Sequence, residues 1–396
     1  MRRAIGLAVV AATVSVAFAQ QPPIQLPRYD KKAPAVLILE DDARELITHL
    51  NNDFDGSQQS ANAASEDIDV FTGASALRVS PLQRHSARIQ GWTWNIVEKP
   101  SREGEYRYLR FAWKKTGGEG IMIQLHDQNR SWVARYYAGK NVQNWQPAKE
   151  VAKEIPKEWT VVTRDLWEDF GKPNGGTLLI SGIGFTAFDG QHALFDHFVL
   201  GRTVADLDAV TDAALGRAKP GFTLDPKYRE ALWEDLFEKD RAKSGPAVRG
   251  LLSGAQDVVP MIAERLPLTT QSPEEVKDRA KRITTYISQL GSDTDFDTRI
   301  AAEEALDKLG PAAEPAIRSA LTSGDAEVRY RANRLMRKLK LEEGEASLAA
   351  ARAARVVRIL ERANTTDAKG LLKKMSDGIY GPEYLDPANA ALVRLK

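Results

Sequence analysis

Two hydrophobic periodicities divide the chain. Between about residues 66 and 203, apolar and polar residues alternate with a period of two, as in residues 106–113 and 121–125. Glycine- and asparagine-rich turns separate these short runs, and no stretch of helical length lies between them. Many short alternating strands at such spacing are typical of an antiparallel β-sandwich or barrel.

After Thr203 the apolar residues recur with the 3.6-residue period of a helix. Asp225-Pro226 pairs an N-cap residue with a proline at the first helical position, and residues 272–275 (Ser-Pro-Glu-Glu) add a capping box. Runs of 10–18 residues joined by short turns predict stacked antiparallel helix pairs, as in an α-solenoid or a compact bundle.

The N-terminal residues 1–19 have the pattern of a signal peptide. Arg2 and Arg3 precede a short apolar run, and residues 17–19 (Ala-Phe-Ala) form a small-x-small cleavage site. We therefore expect an exported protein, periplasmic or extracellular; an uncleaved N-terminal anchor is the alternative. No later segment is apolar enough over a sufficient length to predict a transmembrane helix.

These patterns predict five segments. They are a signal peptide (1–19), a flexible linker (20–35), a β-sandwich domain (36–204), a linker with a short helix (205–224) and a helical domain (225–396).

Composition narrows the chemistry. The 396 residues contain no cysteine, which excludes disulfides, cysteine-ligated zinc, iron–sulfur clusters and thiolate nucleophiles. Lys and Arg total 55 against 54 Asp and Glu, for a formal net charge of +1. A nucleic-acid-binding domain is usually strongly basic, so we expect no nucleic-acid partner.

Catalytic signatures are absent: the sequence contains no G-x-S-x-G elbow, no H-E-x-x-H and no phosphate-binding P-loop. Glycoside hydrolysis needs only two carboxylates at the right separation, which sequence spacing cannot reveal. We therefore predict a non-enzymatic protein, with an envelope polysaccharide hydrolase that uses an unidentified carboxylate pair as the alternative.

Two resemblances follow from particular residues. Residues 298–332 resemble the HEAT-repeat consensus, including its "LG-x-x-A-x-P-A-L" helix start, with Ile317 in the leucine place. Residues 53–56 (Asp-Phe-Asp-Gly), 73–79 and 194–200 resemble jelly-roll sandwiches of the galactose-binding-like and carbohydrate-binding class. With the pattern of residues 232–236 and 259–266, the whole chain resembles exported planctomycete proteins that place HEAT-like helices beside other modules. The expected fold class is thus an antiparallel jelly-roll sandwich followed by a HEAT-like helical domain.

The jelly-roll resemblance implies a structural calcium ion that joins the first and last strands of the sandwich. It implies Asp53, Asp55 and Asp196 as ligands, with backbone carbonyls near Gly73. The alternative is that Asp53 and Asp55 form a turn and that Asp196 accepts backbone hydrogen bonds.

One sheet face is predicted to bind a ligand. If the strands lie side by side in one sheet, Tyr108 and Arg110 share a face with Gln124 and His126, and an aromatic residue such as Tyr137 completes the row. Aromatic rings stack on sugar faces, and planar polar groups bond hydroxyls, so this row suits a glycan or peptide. The alternative is a solvated face over a tryptophan-filled core.

The helical half is predicted to bind a protein partner. Arg329, Arg331, Arg334 and Arg337 are expected to point outward and to form a basic ridge. Solenoid ridges often bind partners, although such a ridge is equally consistent with an ordinary solvated helix face. The sequence thus favours an exported scaffold that joins a glycan or peptide to a protein.

Overall fold

The computed structural model describes residues 26–41, 43–52, 62–217, 224–321, 323–339 and 348–396. The predicted signal peptide lies outside these residues. Within them, none of the helices is both long and apolar enough to cross a bilayer.

Thirteen strands in the described residues form the N-terminal half. They are β1 (Ala35–Leu39), β2 (Ala63–Glu66), β3 (Ala76–Val79), β4 (Gln83–Ser86), β5 (Trp94–Ile96), β6 (Glu105–Tyr106), β7 (Tyr108–Lys115), β8 (Gly120–Asp127), β9 (Ser131–Gly139), β10 (Lys149–Ala152), β11 (Thr160–Asp165), β12 (Leu178–Thr186) and β13 (Ala193–Gly201).

The strands form two sheets. The first sheet has the order β11-β7-β13-β3-β2, with β1 also paired to β13; the second has the order β10-β9-β8-β12-β5-β6, with β4 also paired to β12. All pairings are antiparallel except β9 with β10 and β5 with β6, which are parallel. The predicted antiparallel sandwich is confirmed.

Alternation along the strands builds one core between the sheets. Phe111 and Trp113 of β7 point inward from the first sheet, and Ile121, Ile123 and Leu125 of β8 point inward from the second. The ring of Phe111 stacks on Phe198 of β13 at a centroid distance of 5.2 Å. Burial of this apolar set is the main force that holds the two sheets together.

A π-helix (Trp167–Gly171) and a 3-10 helix (Lys172–Asn174) lie between β11 and β12. The α-helices follow the sandwich, apart from one that precedes β2. They are α1 (Arg44–Asn52), α2 (Val204–Ala214), α3 (Pro226–Leu236), α4 (Arg241–Ser253), α5 (Ala255–Arg265), α6 (Pro273–Ser288), α7 (Phe296–Leu309), α8 (Glu314–Ala320), α9 (Ala326–Lys338), α10 (Leu348–Ala363), α11 (Thr366–Ser376) and α12 (Pro382–Arg394).

The helical half has two cores. One joins α3, α4 and α5 to α10, α11 and α12, and the other is formed by α6 to α9. The predicted capping box at α6 is confirmed, since the Ser272 side chain accepts from the Glu275 N–H and the Glu275 side chain accepts from the Ser272 N–H. The helical fold class is confirmed, whereas assignment to the HEAT family and to planctomycete proteins stays a prediction.

The predicted basic ridge is wrong in one central position. Arg331 is buried, and it contacts Glu303 of α7 and Glu327 of its own helix at 2.8 and 2.7 Å. Arg334 also contacts Glu303, at 2.5 Å. Two of the four arginines predicted to form the ridge are therefore paired with acids on α7 or on α9 itself.

A loop of the sandwich, residues 67–75 between β2 and β3, joins the two halves. Asp67 accepts a bidentate pair from Arg241 of α4, at 2.7 and 2.8 Å. Arg358 of α10 donates to the carbonyls of Gly73 and Ile68, at 2.6 and 3.1 Å. The loop therefore contacts the helical half through two backbone carbonyls and one carboxylate.

Three buried carboxylates lie behind this loop: Glu40, Asp41 and Asp196. Arg249 of α4 contacts the Asp41 carboxylate and lies 3.7 Å from that of Glu40. His197 contacts Glu40 at 3.1 Å through Nδ1. Burial acts to raise the pKa of Glu40, but the hydrogen bond and charge of His197, together with the charge of Arg249, leave that pKa lowered.

The other two acids respond differently. Burial raises the pKa of Asp41 even though the charge of Arg249 opposes the shift. Burial, reinforced by the charge of Glu40, raises the pKa of Asp196 well above its usual range. One guanidinium from the helical half thus contacts two sandwich carboxylates, whereas burial and the charge of Glu40 raise the pKa of the third, Asp196.

Gly245 of α4 tests how closely this junction fits. A Cβ on Gly245 would overlap the carboxylate of Asp41. We expect Gly245→Ala to lower the free energy of unfolding by roughly 1–3 kcal/mol, because a buried charged group cannot move away cheaply. Thermal unfolding measures the change. Gly370→Ala is the matched control, since a Cβ on Gly370 of α11 meets nothing within 4 Å and alanine favours the helix. Equal stability of both variants would contradict this account.

His192, in the turn before β13, predicts a pH effect. Burial, aided by the charges of Arg78 and Lys115, lowers the pKa of His192 to about 4. An unfolded histidine binds its proton near pH 6.5. As pH falls from about 6.5 to about 4, the unfolded chain therefore gains a proton that the folded chain does not, and stability decreases by roughly 1–3 kcal/mol.

The raised pKa of Asp196 has the opposite effect, because it favours the folded state at low pH. The contribution of His192 to the pH dependence of stability is therefore isolated by comparing the wild type with His192→Gln. Urea unfolding at pH 7 and pH 5 should show a smaller loss for the variant than for the wild type. Parallel curves for the two proteins would contradict the assignment to His192.

Candidate functional site

The predicted ligand-binding row is split between the two sheets. Tyr108 and Arg110 lie on β7 of the first sheet, whereas Gln124 and His126 lie on β8 and Tyr137 on β9 of the second. Since both sets point away from the shared core, they occupy opposite sides of the sandwich. The prediction of one shared face is wrong, because β7 and β8 are consecutive strands that belong to different sheets.

Arg110 has a structural role. Helix α2 covers this part of the first sheet, and Arg110 donates to Thr211 Oγ1 at 2.9 Å and to Asp208 Oδ1 at 2.7 Å of that helix. It also donates to Thr163 Oγ1 on β11 at 2.8 Å. With 8% of its surface exposed, Arg110 fastens α2 to the sheet.

The other predicted residues, Gln124, His126 and Tyr137, lie on the side of the second sheet that points away from the core. We call this side the outer face. Register pairs Gln124 with Arg135, and Met122 with Tyr137, across β8 and β9. On the other side, Gln124 faces Gly184 of β12, which in turn faces His85 of β4. Four strands thus contribute to one continuous surface.

Trp132 is the central residue of this face. Its ring lies 5.1 Å from that of His126 and 5.3 Å from that of His85, and both histidine rings stand nearly perpendicular to it, at 77° and 86°. Trp132 is only partly buried, so part of the indole is open to solvent. The arrangement holds one aromatic ring in place between two polar aromatic side chains.

Strict alternation does not predict the placement of Trp132. Counting by two from Tyr136 and Ala134 would put Trp132 in the core. The β8–β9 register shifts between Leu125 and His126, so that Ala134 pairs with Leu125 but Trp132 pairs with His126. This bulge adds one residue to β9 and turns Trp132 to the outer face. The sequence shows an aromatic residue at position 132, but it does not show which face of the sheet the ring lies on.

Gly184 leaves the space that the Trp132 ring uses. A Cβ on Gly184 would lie 3.4 Å from Trp132 Cζ3 and 3.1 Å from the Cβ of His85. The absence of a side chain here lets the indole lie close to β12.

A hydrogen-bonded chain runs beneath the ring. Arg135 Nε donates to Gln124 Oε1 at 2.8 Å, and Gln124 Nε2 donates to Gln83 Oε1 at 2.9 Å and to Thr186 Oγ1 at 3.1 Å. Gln124 and Arg135 are both buried despite pointing outward. The chain fixes the orientation of each amide and of the guanidinium.

His126 is oriented by a second chain. The Ser181 hydroxyl donates to the Ala87 carbonyl at 3.0 Å, and His126 Nδ1 lies 3.1 Å from the same hydroxyl. Because the single Ser181 proton is already used, Nδ1 carries a hydrogen and donates it to Ser181. The imidazole is thereby held upright against Trp132.

A loop after β9 borders the face. Asn141 Nδ2 donates to the Trp145 carbonyl at 2.8 Å, and Arg135 Nη1 donates to the carbonyl of Gln146 at 2.7 Å. Beyond it, the Tyr137 hydroxyl contacts Glu150 on β10 at 3.5 Å. Burial and the charge of Glu150 raise the pKa of Tyr137. Polar and aromatic groups therefore continue from the strands to this rim.

Asp196, a predicted calcium ligand, accepts three backbone N–H groups. Its carboxylate bonds Phe71 N and Thr72 N at 3.0 Å each, and His197 N at 2.8 Å. Asp53 and Asp55 lie outside the described residues. In the described part of the chain, no group of three or more His, Asp and Glu side chains could hold a metal ion. The calcium site stays a prediction from resemblance.

A concavity, which we call the interdomain cleft, lies between the sandwich and the helical half and has a volume of about 1180 Å³. On the sandwich side, Trp159 Nε1 donates to Asp69 Oδ1 at 2.7 Å, and Lys114 lies between Asp69 and Glu158, at 2.8 and 3.5 Å. The helical side is mainly apolar, with residues such as Ile283 and Val357.

Comparisons with known proteins concern part of the chain. No protein-family model matches the sequence, and no curated protein matches it. Among solved structures, a family 30 carbohydrate-binding module is similar with a TM-score of 0.24 and 18% identity, over 35% of this chain and 73% of that one. A family 11 carbohydrate-binding module from Clostridium thermocellum, in complex with a β-1,3-1,4-mixed-linked tetrasaccharide, gives a TM-score of 0.22 and 14% identity, over 38% and 92%. An exo-β-agarase gives 0.21 and 13%, over 42% and 25%.

The role of Gly184 leads to a direct test of the outer face. We expect Gly184→Val to displace the Trp132 ring, because a Cβ would already lie 3.4 Å from Trp132 Cζ3 and valine adds two further carbons beyond it. In protein labelled with 5-fluorotryptophan, the ¹⁹F resonance assigned to Trp132 should shift while that of Trp233, buried in the helical core, stays in place. An unchanged Trp132 resonance would contradict the proposed packing.

Proposed function

We propose that the protein is a non-enzymatic binding protein whose sandwich holds a glycan on the outer face of the second sheet. The observation that carries this proposal is the fixed, partly exposed Trp132 ring between His85 and His126. A sugar presents an apolar ring face and a border of hydroxyls. Trp132 supplies the matching apolar surface, and the histidines supply polar edges beside it.

The surrounding groups support the same ligand class. Gln124 and Arg135 are locked by hydrogen bonds, so binding costs little side-chain entropy at these positions. Gln124, His126 and Tyr137 keep the ligand-binding role that the sequence suggested. Tyr108 and Arg110 have no part in the proposed site, since they lie on the opposite side of the sandwich.

In this proposal the helical half binds a protein partner. Phe296 of α7 and Tyr330 of α9 support this role, since they expose 63% and 57% of their surface on two neighbouring helices. Large exposed rings are enriched at protein interfaces. Together with the N-terminal pattern of residues 1–19, this gives an exported scaffold that joins a glycan to a protein.

A polysaccharide hydrolase is the alternative, and the interdomain cleft is where its carboxylates would be sought. Asp69 and Glu158 line it, and both contact Lys114. This pairing gives the two acids a shared structural counter-ion. A screen for reducing ends released from polysaccharides tests the alternative, and release abolished by Glu158→Gln would favour it over binding alone.

The binding proposal predicts the effect of removing the central ring. After a glycan array has identified a ligand, Trp132→Ala should raise its dissociation constant about 2- to 12-fold, because a ring contact is worth about 0.5–1.5 kcal/mol. Isothermal titration calorimetry measures this change. Trp159→Ala, which removes a partly exposed ring from the interdomain cleft, is the matched control and should leave the affinity unchanged. Loss of binding in Trp159→Ala alone would move the site to the cleft.

A further inference from the structure

Arg135 is a buried positive charge on the outer face. It exposes 8% of its surface, and its hydrogen bonds go to Gln124 Oε1, the Trp132 carbonyl and the Gln146 carbonyl. All three acceptors are neutral. Within the described residues, Arg135 makes no ion pair.

Several other buried arginines in the protein contact carboxylates, whereas Arg355 and Arg358 of α10 donate to backbone carbonyls. Arg241 binds Asp67, Arg249 binds Asp41, and Arg331 binds Glu303. Burying a guanidinium without an anion is costly, and proteins usually pair such a charge. Burial lowers the pKa of Arg135, and no neighbouring charge opposes the shift. Arg135 therefore lacks the anion that Arg241, Arg249 and Arg331 have, and unlike Arg355 and Arg358 it lies on the outer face rather than on α10.

One nitrogen of Arg135 remains for a ligand. Nε and Nη1 make the three bonds to neutral acceptors, whereas Nη2 makes none within the described residues. Because Nη2 has no partner among these residues and yet is not one of the fully buried unpaired atoms, it is in contact with solvent. The bonds of Nε to Gln124 on β8 and of Nη1 to the backbone carbonyl of Trp132 on β9 hold the guanidinium on the two strands that also carry His126 and Trp132.

We propose that the glycan bound at this face is anionic, with a carboxylate or sulfate oxygen that accepts from Arg135 Nη2 while a sugar ring packs on Trp132. This inference rests on the proposed function and narrows its ligand class. An anion here would neutralise the buried guanidinium and form a charge-assisted hydrogen bond, which is about twice as strong as a neutral one.

The test compares ligands that differ only in charge. Oligogalacturonate and its methyl ester share one backbone, and a sulfated galactan with its desulfated form makes the second pair. We expect the anionic member of one pair to bind the full chain at least about tenfold more tightly than its neutral counterpart, as measured by calorimetry at low salt. Preference for the carboxylated or for the sulfated pair identifies the source of the anion.

Variants assign the preference to Arg135. Arg135→Gln should reduce the ratio of the two affinities to about one while the neutral ligand still binds. Arg130→Gln is the matched control: this exposed arginine of the β8–β9 turn donates to the Thr177 carbonyl and should leave the ratio unchanged. If Arg135→Gln does not fold, Arg135→Lys, which keeps the charge but moves it, should lower the ratio.

Three results separate the claims. Tighter anionic binding that depends on Arg135 supports the inference. Equal binding of both members of each pair overturns it and leaves the proposed glycan site intact. If neither these ligands nor any neutral glycan in the array binds, the proposed function itself is wrong.

Discussion

The arrangement of the whole chain depends on neutralising acidic side chains that the sandwich buries. Glu40, Asp41 and Asp196 are almost completely inaccessible to solvent. Placing a carboxylate in such surroundings costs several kcal/mol unless a positive group or hydrogen-bond donors compensate. His197 supplies part of that compensation from within the sandwich, and Arg249 of α4 supplies another part. The sandwich is therefore electrostatically complete only when the helical half is in place.

This constraint determines which surfaces are left for function. The β2–β3 loop that covers the three acids is also the segment that Arg241 and Arg358 hold against α4 and α10. Helix α2 covers a further part of the first sheet through Arg110. With the first sheet used for attachment, the second sheet is free to present its outer face, and the interdomain cleft forms along the boundary. The attachment of the helices and the proposed binding site thus lie on opposite sides of one sandwich.

Sequence reasoning succeeded where periodicity or local chemistry decides the outcome. The alternating runs 106–113 and 121–125 coincide with strands β7 and β8, and the Ser272 capping box marked the start of α6. It failed where long-range pairing decides. Nothing local shows that β7 and β8, joined by a short turn, enter different sheets, so Tyr108 and Gln124 were wrongly placed on one face.

The remaining errors have related causes. A bulge in β9 turns Trp132 to the outer face instead of the core side that strict alternation gives, and alternation cannot show a bulge. Arg331 looked like part of a solvated ridge, but its partner Glu303 lies on another helix, 28 residues away. The buried charge of Arg135 likewise emerges only once Gln124, the Gln146 carbonyl and the β8–β9 register are seen together. Side chains with distant partners are the ones that the sequence alone could not place.

The central claim is that the outer face of the second sheet is a glycan site built around Trp132. Its most direct test is a crystal structure of the full chain with an oligosaccharide bound. The account predicts a sugar ring in van der Waals contact with the Trp132 indole, between His85 and His126. A sugar bound in the interdomain cleft against Trp159, with the outer face empty, would contradict it.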